Sequence, residues 1–108
     1  MDFTRIRDAS DGDTEFEQEL FTAYVGDCAE RIGRLHAALA AQDAAAFRRE
    51  AHTIKGSSAN VGTTRLQEFA RAIEEAEVAD GSVPELIARL EAEFGRVKSE
   101  IEAYLAEL

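Results

Sequence analysis

One apolar repeat limits what this chain can fold into. At intervals of 4, 3, 4, 3 and 4 residues, the chain carries Phe21, Val25, Cys28, Ile32, Leu35 and Leu39. This spacing places the six side chains in one stripe of an amphipathic α-helix. Similar stripes occur further along the chain, and each can be buried only by packing against the others. No stretch shows the alternating pattern of a half-buried β-strand.

Turn residues divide the chain into helical segments. The sequence predicts one or two helical turns before the ASDGD break, and then a helix over 13–41 that is kinked near Gly26 or divided into two. Thr14 and Glu17 fit a capping box at its start. Short loops separate the later helices, so we expect an all-α, antiparallel up-down four-helix bundle with one or two additional short N-terminal helices. The length fits a single domain, residues 1–108.

The later helices carry their own end signals. Asp43 fits the N-cap of the helix that follows residue 41, and Gly62 fits its C-cap. Thr64 can open the next helix. Ser82 followed by Pro84 is a strong start signal for the last one.

The formal net charge of −10 disfavours nucleic acid and anionic membranes as partners. We expect a cytoplasmic protein, because no apolar run approaches the ~20 residues of a membrane span, no secretion signal is visible and the lone Cys28 suits a reducing compartment. One bundle satisfies the apolar stripes, so we expect a monomer. The stretch from Arg48 to Arg71 differs in charge: its five basic and two acidic residues give +3, which suggests attraction of an anionic group near His52.

His52 is predicted to lie on an exposed helix face among small residues. At about 100° per residue, it lies roughly 130–140° from the apolar stripe of its own helix. Ala45, Gly56 and Ala59 share its face. Because glycine inside a helix costs about 1 kcal/mol relative to alanine, we infer that Gly56 leaves room for another surface to approach the imidazole.

Charged residues surround this imidazole. Arg48 and Arg49 stand one turn before it, and Lys55 stands one turn after it, where an ammonium would stabilise the anionic phosphoryl group of a phosphorylated imidazole. A hairpin turn near residue 63 places Glu74 level with His52. The Glu74 carboxylate could accept a hydrogen bond from one ring nitrogen and leave the other nitrogen outward as a nucleophile.

An ordinary surface histidine is the simplest alternative interpretation, and His36 fits it. Three and four residues after His36 come Leu39 and Ala40, with no lysine or glycine. A hydrolase or lyase with His52 as general base would need a polar pocket, whereas His52 lies on a convex helix face. The lysine, the glycine and the level carboxylate favour a different use of His52.

The stretch AHTIKGSSANVG, followed by LQEFARAIE, resembles the histidine-containing phosphotransfer (HPt) domains of multistep phosphorelays. The family pattern is a histidine, two residues and then Lys-Gly-Ser, with a glycine ending the helix and a Glu or Gln on the next one. The family fold is a four-helix bundle with one or two extra helices, which agrees with the segments above. The resemblance covers most of the chain.

By matching position, the resemblance implies roles for single residues. His52 is the expected phosphoacceptor, and Lys55 is expected to bind the phosphoryl oxygens. Gly56 permits close partner approach, and Glu74 orients the imidazole. Ser58 lies on the apolar stripe, so we expect it to pack in the core. Candidates for support of the site are Ser57, Arg48, Arg49 and Arg71.

A docking surface for the partner is expected close to His52. Phe16, Leu20 and Phe21 cannot all face one core stripe, so some of them should lie at the bundle surface. The candidate docking residues are Ala45, Ala59, Phe16, Leu20 and Ile6.

The resemblance implies a phosphoryl carrier. His52 would reversibly carry a phosphoryl group between the aspartates of receiver domains, which belong to response regulators and hybrid sensor histidine kinases. The chain has no nucleotide-binding motif, so we expect no ATP-dependent kinase activity of its own. Mg²⁺ is expected on the partner receiver, with no cofactor or metal on this chain. Two alternatives are a non-catalytic helical adaptor and a phosphotransfer fragment of a chemotaxis-type kinase.

Overall fold

The computed structural model describes residues 1–108 and contains five α-helices and no strand. The helices are α1 Thr4–Ser10, α2 Thr14–Ala41, α3 Ala44–Val61, α4 Thr64–Glu75 and α5 Val83–Ala106. The all-helical prediction is therefore confirmed, with one short helix preceding four longer ones.

The four longer helices enclose one core. Helix α3 packs against α2 and α4, and α5 packs against α4 and α2. Successive helices are antiparallel because the connections between them are short, only 42–43 between α2 and α3 and 62–63 between α3 and α4. The bundle is elongated, with extents of 45 × 20 × 19 Å. Helix α1 packs on α2.

The apolar stripe of α2 faces this core. Its members Phe21, Cys28, Ile32 and Leu35 are buried, whereas Val25 and Leu39 are partly buried and pack against the core cluster. Helix α2 is continuous from Thr14 to Ala41, so the division near Gly26 that the sequence allowed does not occur.

The start of α2 differs from its prediction. Asp13, not Thr14, is the N-cap, because its backbone is extended and its carboxylate accepts a hydrogen bond from the Phe16 N–H at 3.0 Å. Glu17 cannot complete a capping box because it is fully buried. It accepts a hydrogen bond of 2.5 Å from the Tyr104 hydroxyl in α5.

The caps of α3 follow the prediction, and α5 begins where it was predicted, directly after Ser82 and with Pro84 in its first turn, but without a side-chain cap. The Asp43 carboxylate accepts a hydrogen bond from the Ala46 N–H at 3.1 Å. Gly62 ends α3 with φ of 82°, a left-handed conformation that favours glycine. Ser82 precedes α5 without a side-chain cap, because its backbone is already helical and its hydroxyl donates to Asp80.

The N-terminal segment closes one end of the bundle. Phe3 stacks on Tyr104 at 4.0 Å between ring centroids, and the Arg7 guanidinium donates to the Tyr104 hydroxyl at 2.8 Å. Ile6 is buried beneath this segment as part of the core cluster. The prediction that Ile6 belongs to an exposed docking surface is therefore wrong, because α1 folds back and turns this side chain inward.

Candidate functional site

The exposed face of α3 presents the His52 imidazole. The side chain is 66% exposed, and its only protein partner is a carboxylate in α4. Nδ1 of His52 lies 2.9 Å from Oε1 of Glu74, so the N–H at Nδ1 donates to the carboxylate. Nε2 has no protein partner, so in the neutral ring with a proton at Nδ1 the free lone pair lies at Nε2. The antiparallel register of α3 and α4 thus brings His52 and Glu74 into contact, as the sequence predicted.

Lys55 completes this cluster in a way that the sequence did not predict. Its ammonium lies 2.7 Å from Oε2 of Glu74, so a single carboxylate binds both His52 and Lys55. The contact is an ion pair and not a well-aligned hydrogen bond. Lys55 first, and then His52, hold the pKa of the Glu74 carboxyl below its usual value. A hairpin turn near residue 63 places Lys55 level with Arg71, but a lysine side chain is long enough to reach Glu74, one turn further along α4.

Small side chains share this face of α3 with the imidazole, as the sequence predicted. Gly56 is exposed, and a Cβ built on it would have no atom within 4 Å. No contact inside this chain therefore requires glycine at this position. Ala45 is exposed and Ala59 is partly buried, so neither side chain obstructs the ring.

The arginines near His52 differ in their partners. Arg48 and Arg49 are exposed, and neither forms an ion pair. Arg71 lies 3.3 Å from Glu75 on its own helix and is not bound to the His52 cluster. The unpaired positive charge of this face therefore comes from Arg48 and Arg49.

The two serines of the motif point away from the imidazole. The Ser57 hydroxyl donates to the Ile54 carbonyl at 3.2 Å, and the side chain lies about 140° around the helix from His52. Ser57 is therefore not brought to the site. Ser58 is fully buried in the core, where its hydroxyl lies 2.8 Å from the Tyr24 hydroxyl.

The two large apolar docking candidates on α2 are not buried in the core. Phe16 is 46% exposed, one of two large apolar side chains that are exposed in the whole chain. Leu20, one turn further along α2, is partly buried against the core cluster. Both lie on the helix that packs beside α3.

The second histidine also contacts a carboxylate. Nε2 of His36 in α2 is bound to Oε1 of Glu91 in α5. The sequence did not predict this contact, because the α2–α5 register depends on a longer path through the chain. Unlike His52, His36 has no lysine beside its partner carboxylate and no glycine one turn after it.

The fold and this cluster define the class of a helical-bundle phosphotransfer domain. Residues 19–107 match the family model of the Hpt domain. A solved structure, the histidine-containing phosphotransfer protein B (HptB) from Pseudomonas aeruginosa PAO1, superposes with a TM-score of 0.89 at 30% identity, over 98% of this chain and 91% of that one. No sequence among curated proteins is significantly similar.

The chain belongs to the Hpt domain family, and its function is histidine phosphotransfer in a phosphorelay. Hpt domains interact with the receiver domains of two-component systems. None of the five helices is long and apolar enough to span a membrane.

Proposed function

We propose that Nε2 of His52 is the atom that accepts and donates the phosphoryl group. The observation that carries this proposal is that the two ring nitrogens have different surroundings. Nδ1 is bound to Glu74 at 2.9 Å, whereas Nε2 has no protein partner and lies on an exposed face. This arrangement fixes the tautomer in which Nε2 is the nucleophile.

The step is an in-line displacement at phosphorus. The Nε2 lone pair attacks the phosphorus of a phospho-aspartate on the receiver, and the Nε2–P bond forms. The P–O bond to the aspartate breaks, and its electron pair remains on the aspartate carboxylate. The proton at Nδ1 stays on the ring. The reverse of this step passes the phosphoryl group to the aspartate of another receiver.

The charges of the α3 face support this step. Phosphoryl transfer depends on positioning and charge neutralisation more than on covalent machinery. Lys55 is 29% exposed and lies on the same flank as His52, so its ammonium can move to the phosphoryl oxygens. Arg48 and Arg49 have no competing carboxylate and add positive potential in a chain of net charge −10. We propose that the receiver supplies Mg²⁺, its own lysine and its acidic pocket.

We also propose how the partners meet this surface. The partners are receiver domains of response regulators and of hybrid sensor histidine kinases. Gly56, Ala45 and Ala59 allow the receiver to approach the ring, while Phe16 and Leu20 contribute apolar contact area. We propose that the protein acts as a monomer in the cytoplasm, which suits its free, buried Cys28.

The two histidines of the chain allow a matched test. A receiver labelled on its aspartate is mixed with the wild-type protein, with His52→Gln and with His36→Gln. We expect acid-labile label on the wild type and on His36→Gln, and none on His52→Gln. Label on His52→Gln would remove His52 from the mechanism. Labelling of the wild type by ATP alone would point to a kinase.

A further inference from the structure

The two oxygens of Glu74 serve two different donors. Oε1 accepts the hydrogen bond from Nδ1 of His52 at 2.9 Å, and Oε2 lies 2.7 Å from the Lys55 ammonium. The Glu74 side chain is 19% exposed, so water competes little for either oxygen. Both donors lower the pKa of this carboxyl. The carboxylate therefore accepts the hydrogen bond from Nδ1 without taking the proton.

The Nδ1 proton decides how easily a phosphorylated ring gives up its phosphoryl group. If the ring carries phosphorus at Nε2 and a proton at Nδ1, it is a cation, and breaking the P–N bond releases neutral imidazole. If the proton is lost first, the same bond cleavage must release an imidazolate, which is a far stronger base and a much poorer leaving group. A phosphohistidine is therefore an effective donor only while Nδ1 stays protonated.

We propose that Glu74 retains the Nδ1 proton on phosphorylated His52 and so keeps the protein an effective phosphoryl donor above neutral pH. The inference rests on the proposed function of His52. Glu74 acts through the ring, as a positioning residue, and its negative charge stabilises the cationic phosphorylated ring. In the unphosphorylated protein, the Lys55 ammonium at Oε2 keeps this carboxylate ionised before the phosphoryl group arrives.

No other charged group contacts this ring. On α3, Arg48 and Arg49 are unpaired and exposed, and they oppose a cationic ring only at a distance through solvent. On α4, Arg71 is bound to Glu75. The charged residues that α2 directs towards α3 bind one another or Glu50, in the pairs Asp27–Arg31, Arg31–Glu50 and Arg34–Glu50. Glu74 is thus the single carboxylate in contact with the imidazole.

Replacement of the charge without loss of the hydrogen bond tests this role. Glu74→Gln retains an acceptor for Nδ1–H and removes the negative charge. Wild type, Glu74→Gln and Glu74→Asp are phosphorylated with phosphoramidate, and transfer to a receiver is timed from pH 6 to pH 9. We expect the wild-type rate to fall only at the alkaline end of this range. The Glu74→Gln rate should fall about tenfold per pH unit from a midpoint about one unit lower. Glu74→Asp should restore part of the wild-type profile.

A second measurement reads the proton directly. The ¹⁵N chemical shift of Nδ1 in the phosphorylated proteins should report loss of the proton at lower pH in Glu74→Gln than in wild type. A purely orienting role of Glu74 predicts a slower rate at every pH with no displacement of the profile or of the NMR midpoint, and that result overturns the inference. If phosphoramidate and receiver instead label His52→Gln as strongly as wild type, His52 is not the phosphoacceptor. This result would overturn the proposed function and, with it, the inference about Glu74.

Discussion

The Tyr24 hydroxyl in α2 lies 2.8 Å from the Ser58 hydroxyl in α3, and both are buried in the core. The same Tyr24 oxygen lies 3.1 Å from the Thr63 hydroxyl, which in turn donates to the Ser58 carbonyl. This network joins α2, the end of α3 and the turn into α4. It gives Ser58, six residues after His52, a structural role at a core position without any contact to the imidazole.

Removal of the Tyr24 hydroxyl should weaken the fold and not the chemistry. Tyr24→Phe leaves the Ser58 hydroxyl without its partner, so we expect the free energy of unfolding to fall by about 1–2 kcal/mol. Urea denaturation measures this, and phosphotransfer at low urea should be unchanged. The double variant Tyr24→Phe, Ser58→Ala should lose less than the sum of the single variants. Additive losses would show that the two hydroxyls are not coupled.

The buried position of Ile6 makes α1 part of the stability of the domain. Ile6→Ala removes core contacts beneath a short helix, so we expect the free energy of unfolding to fall by about 2 kcal/mol. The exposed neighbour Arg5, which forms no ion pair, provides the control, and Arg5→Ala should change stability by less than about 0.5 kcal/mol. Unchanged urea midpoints for both variants would contradict the packing of α1 on the core.

The free Cys28 should report unfolding. Its side chain is fully buried, and this burial raises the pKa of the thiol to about 12. We therefore expect alkylation at pH 8 to be negligible in the native protein and rapid in urea. Because the unfolded thiol ionises near its usual pKa and the folded thiol does not, stability should decrease as pH rises above about 9. Complete alkylation of the native protein without unfolding would contradict this burial.

Periodicity explains which parts of the structure the sequence could predict. The apolar spacing determined which face of each long helix is buried, and the two-residue turn at Gly62 then determined the register of α3 and α4. The contact between His52 and Glu74 follows from this register alone. The burial of Ser58 was likewise predicted from its place on the stripe.

Contacts between distant segments could not be predicted in this way. Glu17 resembles a capping residue in the sequence. In the structure it is buried and accepts a hydrogen bond from the hydroxyl of Tyr104, which lies near the other end of the chain. Ile6 looked exposed because α1 is too short to display a periodic stripe. The Lys55 ion pair with Glu74 depends on a side-chain rotamer that backbone register does not specify.

The exposed apolar residues of the chain allow a test of the docking surface. Phe16 is 46% exposed on the helix beside α3, whereas Leu108 is 39% exposed at the C-terminus. We expect Phe16→Ser to raise the Kd for the receiver by about 5–20-fold, with helicity unchanged, and Leu108→Ser to leave it unaltered. Leu20→Asp should also weaken binding. Equal Kd values for wild type and Phe16→Ser, measured by titration calorimetry, would exclude Phe16 from the interface.

Substitutions of Gly56 should affect the stability of the protein and the rate of phosphotransfer in opposite ways. A Cβ at this position meets no atom of the chain, and the same is true of Gly95 in the middle of α5. Both Gly56→Ala and Gly95→Ala should therefore raise the free energy of unfolding by about 1 kcal/mol, because alanine is the better helix former. Gly56→Gln should slow transfer from a phosphorylated receiver at least about tenfold, because its side chain occupies the approach to His52. Gly95→Gln, on another helix, should transfer at the wild-type rate. If Gly56→Gln transfers as fast as Gly95→Gln, the glycine does not provide clearance for the partner.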